Sequence, residues 1–128
     1  MTDVNSDWLR QKNVPWCYRD DCDTLAATQK PFIINLDDLG KGGTHWVAAR
    51  IVGKTLFYAD PFGSVLNGYP PKEIHDLAPR HVVNSIAWQR PSTNLCGYYA
   101  YRFTKALSKV TENMGQKDLE HLLWLSIR

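Results

Sequence analysis

The segment HWVAARIVGKTLFYADPFG, residues 45–63, decides the fold of this chain. Two runs rich in β-branched and aromatic residues, 45–52 and 54–63, meet at Gly53, and this pattern predicts two strands joined by a tight hairpin. Pro61 ends the second strand, because proline lacks the N–H that a central ladder needs. The segment therefore predicts an antiparallel strand pair as the centre of a sheet.

The same hairpin predicts a pair of polar side chains at its open end. The start of one antiparallel strand lies opposite the end of the other, and these two positions are His45 and Asp60. We expect the Asp60 carboxylate to accept the Nδ1 proton of His45 and to orient its ring. Two alternatives stay open: a histidine that only hydrogen-bonds a loop, and an aspartate that caps the DPFG turn. The other histidines, His75, His81 and His121, are predicted on helix surfaces or at a strand start.

The rest of the chain completes an α+β pattern. Short apolar runs and helical spacing predict further elements: strands at 31–36 and 81–88, and helices at 71–79, 97–110 and 117–127. The first 30 residues are polar and predict loops with one short helix. A length of 128 residues suits one domain, 1–128. We expect a small mixed or antiparallel sheet with helices packed on it.

Composition excludes several classes of function. The net charge is only +2 and the basic residues are scattered, which does not indicate a nucleic-acid-binding surface. The chain opens without an apolar signal core, and it contains no run of 18 apolar residues, so no membrane contact is expected.

The cysteines predict a reducing compartment. Three is an odd count, which favours free thiols over a disulfide framework. Cys17 and Cys22 have a C-x₄-C spacing, but two ligands are too few for a zinc site. We therefore expect two ordinary thiols there, with no metal and no cofactor.

A third cysteine lies in QRPSTNLCGYYAYRF, residues 89–103, at the start of a predicted helix. A helix N-terminus and an imidazolium both stabilise a thiolate, so Cys96 is a candidate nucleophile. Gln89, seven positions earlier, is a candidate donor to the oxyanion of a tetrahedral intermediate. The alternatives are a cysteine buried as a small apolar residue and a glutamine on a surface loop.

Three short blocks together resemble a known enzyme family. GGTHW (42–46), YADPFG (58–63) and QRPSTNLCGYY (89–99) resemble the active-site blocks of the adenovirus-type, adenain-like cysteine proteases, which are related to the proteases specific for SUMO and other ubiquitin-like modifiers. The resemblance covers residues 31 to 107. It implies a papain-like core with the catalytic residues in the circularly permuted order His, Asp, Gln, Cys.

The resemblance assigns a catalytic role to each of four residues. Cys96 is the nucleophile, His45 the base and Asp60 the residue that orients the base, while Gln89 helps to form the oxyanion hole. The chain is much shorter than adenain, so substrate-binding helices must be trimmed. It also has no cysteine between Asp60 and Gln89, where adenain bonds its activating peptide.

Three further residues are expected to bind substrate. Trp46 is expected to wall a narrow channel, and Gly43 and Gly97 flank the base and the nucleophile. A bulky wall beside the scissile bond leaves room for a residue without a Cβ atom. We therefore expect cleavage after glycine in a small-residue context.

The expected function is that of a thiol endopeptidase of virion maturation. Its partners are viral capsid or core precursor proteins, with an activating peptide or weak non-specific DNA binding left open, and its location is the virion and the nucleus or cytoplasm of the infected cell. One alternative is a deconjugating isopeptidase for a ubiquitin-like modifier. The other is a DNA- or protein-binding domain on a protease-like scaffold, which predicts a broken triad.

Overall fold

The fold is α+β, as the sequence predicts. The computed structural model describes residues 4–36, 45–88 and 95–128, with side chains from residue 8 onward. The strands form one mixed sheet in the order β1-β2-β3-β4-β5, where β1 is Trp16–Tyr18, β2 Phe32–Asn35, β3 Trp46–Val52, β4 Thr55–Ala59 and β5 Arg80–Val83. The helices are α1 Val4–Gln11, α2 Asp23–Ala27, α3 Gly63–Asn67, α4 Lys72–His75, α5 Cys96–Leu107 and α6 Gln116–Ile127.

The predicted hairpin is confirmed as the centre of the sheet. Strands β3 and β4 pair antiparallel, with Ala48 opposite Ala59 and Val52 opposite Thr55. Gly53 in the turn has φ of 61°, a left-handed conformation that glycine adopts without a Cβ clash. β2 extends the antiparallel part, whereas β1 and β5 add parallel edges.

Helices cover both faces of the sheet. Val47 and Ala49 of β3 pack in one buried cluster that also contains Ala26 of α2 and Ile74 of α4. Ala48, between them in sequence, belongs to a second cluster with residues of α5 and α6. This alternation is the two-residue period of a strand whose two faces are both buried.

Helix α5 is fixed at its C-terminal end by a side chain of the central hairpin. Arg50 of β3 donates from Nη1 to the carbonyl oxygen of Leu107 at 2.9 Å, and from Nε to the carbonyl oxygen of Gln29 at 2.8 Å. A cation at this end complements the negative pole of the helix dipole. The opposite end of α5 begins at Cys96.

Two expectations about the N-terminal third and the fourth strand are wrong. The first 30 residues contain strand β1 and two helices rather than loops with one helix. The strand predicted over 81–88 ends at Val83, because the Asn84 side chain bonds to the backbone of the neighbouring strand end instead of continuing the ladder.

The expectation of free N-terminal thiols is also wrong. A disulfide joins Cys17 of β1 to Cys22, just before α2. It does not fit the reducing compartment that the odd cysteine count favours, because disulfides persist mainly under oxidising conditions. Among the helices that the structure describes, none is long and apolar enough to cross a membrane.

Candidate active site

His45 and Asp60 form a short hydrogen bond at the open end of the hairpin. The distance between His45 Nε2 and Asp60 Oδ1 is 2.7 Å, and the Asp60 side chain is 1% exposed. The His45 ring presents Nε2 to the carboxylate, rather than the Nδ1 expected from the hairpin. This orientation leaves Nδ1 as the ring nitrogen available to a nucleophile.

The Asp60 carboxylate is held in place by two further donors. Its Oδ1 accepts the backbone N–H of Phe62 at 2.8 Å, and its Oδ2 accepts the Nδ2 amide of Asn67 at 2.8 Å. The first of these bonds is the turn-capping role that the DPFG motif suggested, so Asp60 both caps its turn and orients His45. Bonds to both oxygens fix the plane of the carboxylate.

Asn84 fixes the backbone of Asp60 from the neighbouring strand end. The Asn84 Oδ1 atom accepts the Asp60 N–H at 2.7 Å, and its Nδ2 donates to the Asp60 carbonyl at 2.7 Å. Asn84 is fully buried. This two-point bridge extends the β4–β5 pairing by one side chain and stops the end of β4 from fraying.

Phe62 supports the base from one face. Its ring lies parallel to the imidazole of His45, with 4.6 Å between centroids and 9° between planes. This parallel contact restricts rotation of the imidazole about the Cβ–Cγ bond of His45. Together with the hydrogen bond to Asp60, this stacking leaves the ring one preferred orientation.

Cys96 lies at the first position of α5 and interacts with His45. Its side chain is 3% exposed and belongs to a buried cluster with Ile33, Trp46 and Ala100. The 12-residue helix behind it places the positive end of its dipole at the sulfur. The start of this helix and the His45 ring are thus two groups that adjoin the sulfur.

Electrostatics keep His45 protonated in the resting site. Burial alone lowers the pKa of His45, but hydrogen bonding and charge interactions with Asp60 and Cys96 outweigh it and raise the pKa from 6.5 to about 9. Nδ1 is buried and forms no hydrogen bond of ordinary geometry within the described part of the chain. The interaction with Cys96 thus involves the Nδ1 side of the ring, since Nε2 bonds to Asp60.

The structure brings three of the four predicted catalytic residues together. His45, Asp60 and Cys96 come from the hairpin and from the start of α5. Gln89 lies outside the described residues, and so does Gly43. Gly97 is the second residue of α5 and is buried, directly after Cys96.

Trp46 is buried in the structure. Its side chain is fully buried, and its indole packs edge-on against Trp16 at 5.2 Å between centroids. The role predicted for it required an exposed indole beside the scissile bond. Trp46 instead belongs to the buried cluster that contains Cys96. The burial of Trp46 therefore gives no support to the expectation that its indole forms a wall that selects glycine.

Three residues of the site were missed by the sequence analysis. Phe62 follows Asp60 within the DPFG motif, and that closeness could have suggested a contact with the base. Asn67 and Asn84 had no comparable signal, because their roles depend on how α3 and β5 pack beside the end of β4. Among the described residues, no three His, Cys, Asp or Glu side chains converge as metal ligands.

Comparisons with known proteins add no relative to this picture. The chain matches no protein-family model, and no curated protein or solved structure is significantly similar to it. The assignment of the site therefore depends on its own geometry and on the three short sequence blocks.

Proposed function

We propose that this protein is a cysteine endopeptidase in which Cys96, His45 and Asp60 form the catalytic triad. The observation that supports this is the line of interactions from the anchored Asp60 carboxylate through His45 to a cysteine at a helix start. Each member has the residue type that its role requires. A binding domain on an inactive scaffold would have no need to keep all three.

The chemistry of such a site follows from the positions of its groups. Cys96 Sγ attacks the scissile carbonyl carbon and forms a tetrahedral intermediate. His45 then donates its proton to the leaving amine, and an acyl-enzyme remains. Water, deprotonated by His45, attacks the thioester and releases the acid product with the free thiol. Asp60 stays ionised and holds the imidazole throughout.

The oxyanion of the intermediate needs hydrogen-bond donors. The backbone N–H groups at the start of α5 point toward the position of Cys96, as they do at any helix N-terminus. We propose the amide of Gln89 as a further donor, as the family resemblance implies. The same resemblance supports a papain-like core in the permuted order His, Asp, Gln, Cys.

The proposed substrates are viral capsid or core precursor proteins cleaved after glycine during virion maturation. The resemblance to adenain-like proteases supports these substrates. The preference for glycine depends on that resemblance alone, because the Trp46 side chain is buried. Of the two substrate classes, we propose an extended precursor rather than a folded ubiquitin-like modifier.

Alkylation of Cys96 tests the triad before any substrate is known. Cys17 and Cys22 form a disulfide, so without reductant iodoacetamide should label Cys96 alone. The rate at about pH 6 should fall at least ~10-fold in His45→Gln, because the thiolate loses its cation. His75→Gln, an exposed histidine, should label like the wild type. Equal rates in all three proteins would contradict the triad.

Cleavage itself is tested with two substrates and the Cys96→Ala variant. One substrate is an unfolded precursor with a Gly-Gly site, and the other is a folded ubiquitin-like modifier with a C-terminal Gly-Gly reporter. Mass spectrometry should find cleavage of the first and little of the second. Faster turnover of the folded modifier would support the isopeptidase, and cleavage that persists in Cys96→Ala would exclude this cysteine as the nucleophile.

A further inference from the structure

The partly buried carboxylate of Glu120, on α6, binds the backbone just beyond the end of β5. Its Oε1 accepts the N–H of Ser85 at 2.7 Å and the N–H of Ile86 at 3.3 Å. Its Oε2 is also buried and accepts no hydrogen bond within the described part of the chain. Because the two amides lie 35 and 34 positions from Glu120 in sequence, these bonds fasten α6 to a distant segment.

Burial works against the charge of Glu120. It raises the pKa of this carboxyl, although the bonds from Ile86 and Ser85 lower it. A buried acceptor is unfavourable unless it is hydrogen-bonded, so the bonds to the two amides are the favourable part of this arrangement. What Glu120 holds in place is therefore the segment that carries those amides.

Residues 84–88 lie along one side of the turn that carries Asp60. The Asn84 side chain bonds to the backbone N–H and carbonyl of Asp60, at 2.7 Å each. At the other end of the segment, the Trp88 N–H donates to the Pro61 carbonyl at 2.8 Å. The segment is therefore hydrogen-bonded at both ends to the turn whose carboxylate orients the base.

The middle of the segment contacts the start of α3. The Val65 N–H donates to the Ser85 carbonyl at 3.3 Å, and Gly63 packs so closely that a Cβ atom there would overlap the same carbonyl. Ser85 thus contacts α3 through its carbonyl and Glu120 through its N–H. One residue therefore connects α6 to the helix that supplies the Asn67 donor of the site.

Glu120 does not act on the base through its charge. The pKa of His45 is lowered by burial and raised by Asp60 and Cys96, and no other group of the described chain contributes to it. If replacement of Glu120 changes that pKa, the change therefore reports altered contacts of the His45 ring and not the loss of a nearby charge.

We propose that Glu120 is a positioning residue that holds Asp60 in register with His45 through the segment 84–88. The inference rests on the proposed function for its effect on catalysis, whereas the hydrogen bond between Asp60 and His45 can be measured without any substrate. The position requires the hydrogen-bond acceptor of Glu120 and the length of its side chain, and it does not require its charge.

Three substitutions of Glu120 separate these properties. Glu120→Gln keeps the length and one acceptor oxygen but removes the charge, Glu120→Asp keeps the charge on a shorter side chain, and Glu120→Ala removes both. In an NMR titration the pKa of His45 should stay at about 9 in the Gln variant. It should fall to about 8.5 or lower in the Asp and Ala variants, which is a loss of about threefold in proton affinity.

Hydrogen exchange and a matched control complete the test. The Ser85 amide should exchange at least ~10-fold faster in the Asp and Ala variants than in the wild type or the Gln variant. Glu112→Ala is the control, because Glu112 also accepts a backbone N–H, that of Lys54 at 3.2 Å, but at the closed end of the hairpin. This control should leave the pKa of His45 at about 9.

The pKa of His45 decides the proposal. A value above about 8.5 in Glu120→Asp and Glu120→Ala would overturn the positioning role, and so would an equal fall in Glu120→Gln or Glu112→Ala. If Glu120→Ala does not fold, the Asp variant decides alone.

Failure of the positioning role and failure of the proposed function are distinguishable. Cleavage of a peptide by the wild type, with the pKa of His45 unchanged in every variant, would overturn the positioning role alone. The expected pattern of pKa values without any cleavage would support the positioning role and contradict the protease. If the wild type does cleave, kcat should fall at least ~3-fold in the Asp and Ala variants, and an unchanged kcat would overturn the effect on catalysis.

Discussion

Replacement of Asp60 by asparagine tests the electrostatic core of the site. The two carboxylate oxygens accept hydrogen bonds from three donors, on His45, Phe62 and Asn67. An asparagine offers one oxygen and one NH₂ group, so its NH₂ must face a donor on one side. Asp60→Asn therefore removes the negative charge and at least one hydrogen bond while it preserves the shape of the side chain.

The magnitude follows from the pKa of His45. The difference between the ordinary 6.5 and about 9 corresponds to ~3 kcal/mol, of which Asp60 supplies part and Cys96 the rest. Without the Asp60 carboxylate, burial prevails and the pKa of His45 should fall below about 7. Turnover should fall by about 100-fold, since each 1.4 kcal/mol is a factor of ten.

The change in stability has a defined sign. A raised histidine pKa stabilises the folded state fully below 6.5, and this contribution is lost as the pH rises through about 9. Between about pH 6 and pH 10 the wild type should lose up to ~3 kcal/mol of unfolding free energy that Asp60→Asn does not lose.

Two measurements check this reasoning. An NMR titration of the His45 ring should give a pKa of about 9 in the wild type and below about 7 in Asp60→Asn. In urea unfolding, the difference in unfolding free energy between about pH 6 and pH 10 should be present in the wild type and absent in Asp60→Asn. Asp76→Asn makes the same chemical change at an exposed residue beside Lys72 and should leave His45 unaffected. A His45 pKa that stays near 9 in Asp60→Asn would refute the electrostatic account.

Three other changes test the frame around the site. Asn84→Ala should lower the unfolding free energy by roughly 2–3 kcal/mol, because two buried backbone groups lose their partner, and a loss below about 0.5 kcal/mol in urea unfolding would oppose this. Gly63→Ala should cost about 2 kcal/mol or more, since φ is 68° and a Cβ atom would overlap the Ser85 carbonyl; an unchanged Tm would contradict it. Reduction of the Cys17–Cys22 disulfide should cost about 2 kcal/mol for so short a loop, whereas a count of three thiols in denatured, unreduced protein would show no disulfide.

The central hairpin and its polar pair could be predicted because they are local. A glycine turn between two β-rich runs determines the pairing, and the pairing brings His45 to Asp60. Cys96 was recognisable for a similar reason, since a polar loop followed by helical spacing indicates a helix start.

The supporting residues could not be predicted, because they depend on packing between distant elements. Strand β1 has only three residues and exists through its pairing with β2, so no period is visible in its sequence. Asn84 bonds to a backbone 24 positions away. The burial of Trp46 does not follow from its adjacency to His45, because the first residue of a strand can turn fully into the core while its neighbour stays at the edge.

The hairpin also bears on how such a site is inherited. His45 and Asp60, the proposed base and its carboxylate, are 15 positions apart at the open end of one hairpin, and Cys96, the proposed nucleophile, lies on a separate helix. The proposed reaction would depend only on the spatial meeting of the hairpin and the helix, and not on which of them comes first along the chain. A gene rearrangement that reverses the order of the hairpin and the helix along the chain would therefore preserve this chemistry, provided that the new connections can span the distance between them. Transfer of the hairpin to another protein would also require partners for Asp60 in the places of Asn67 and Asn84.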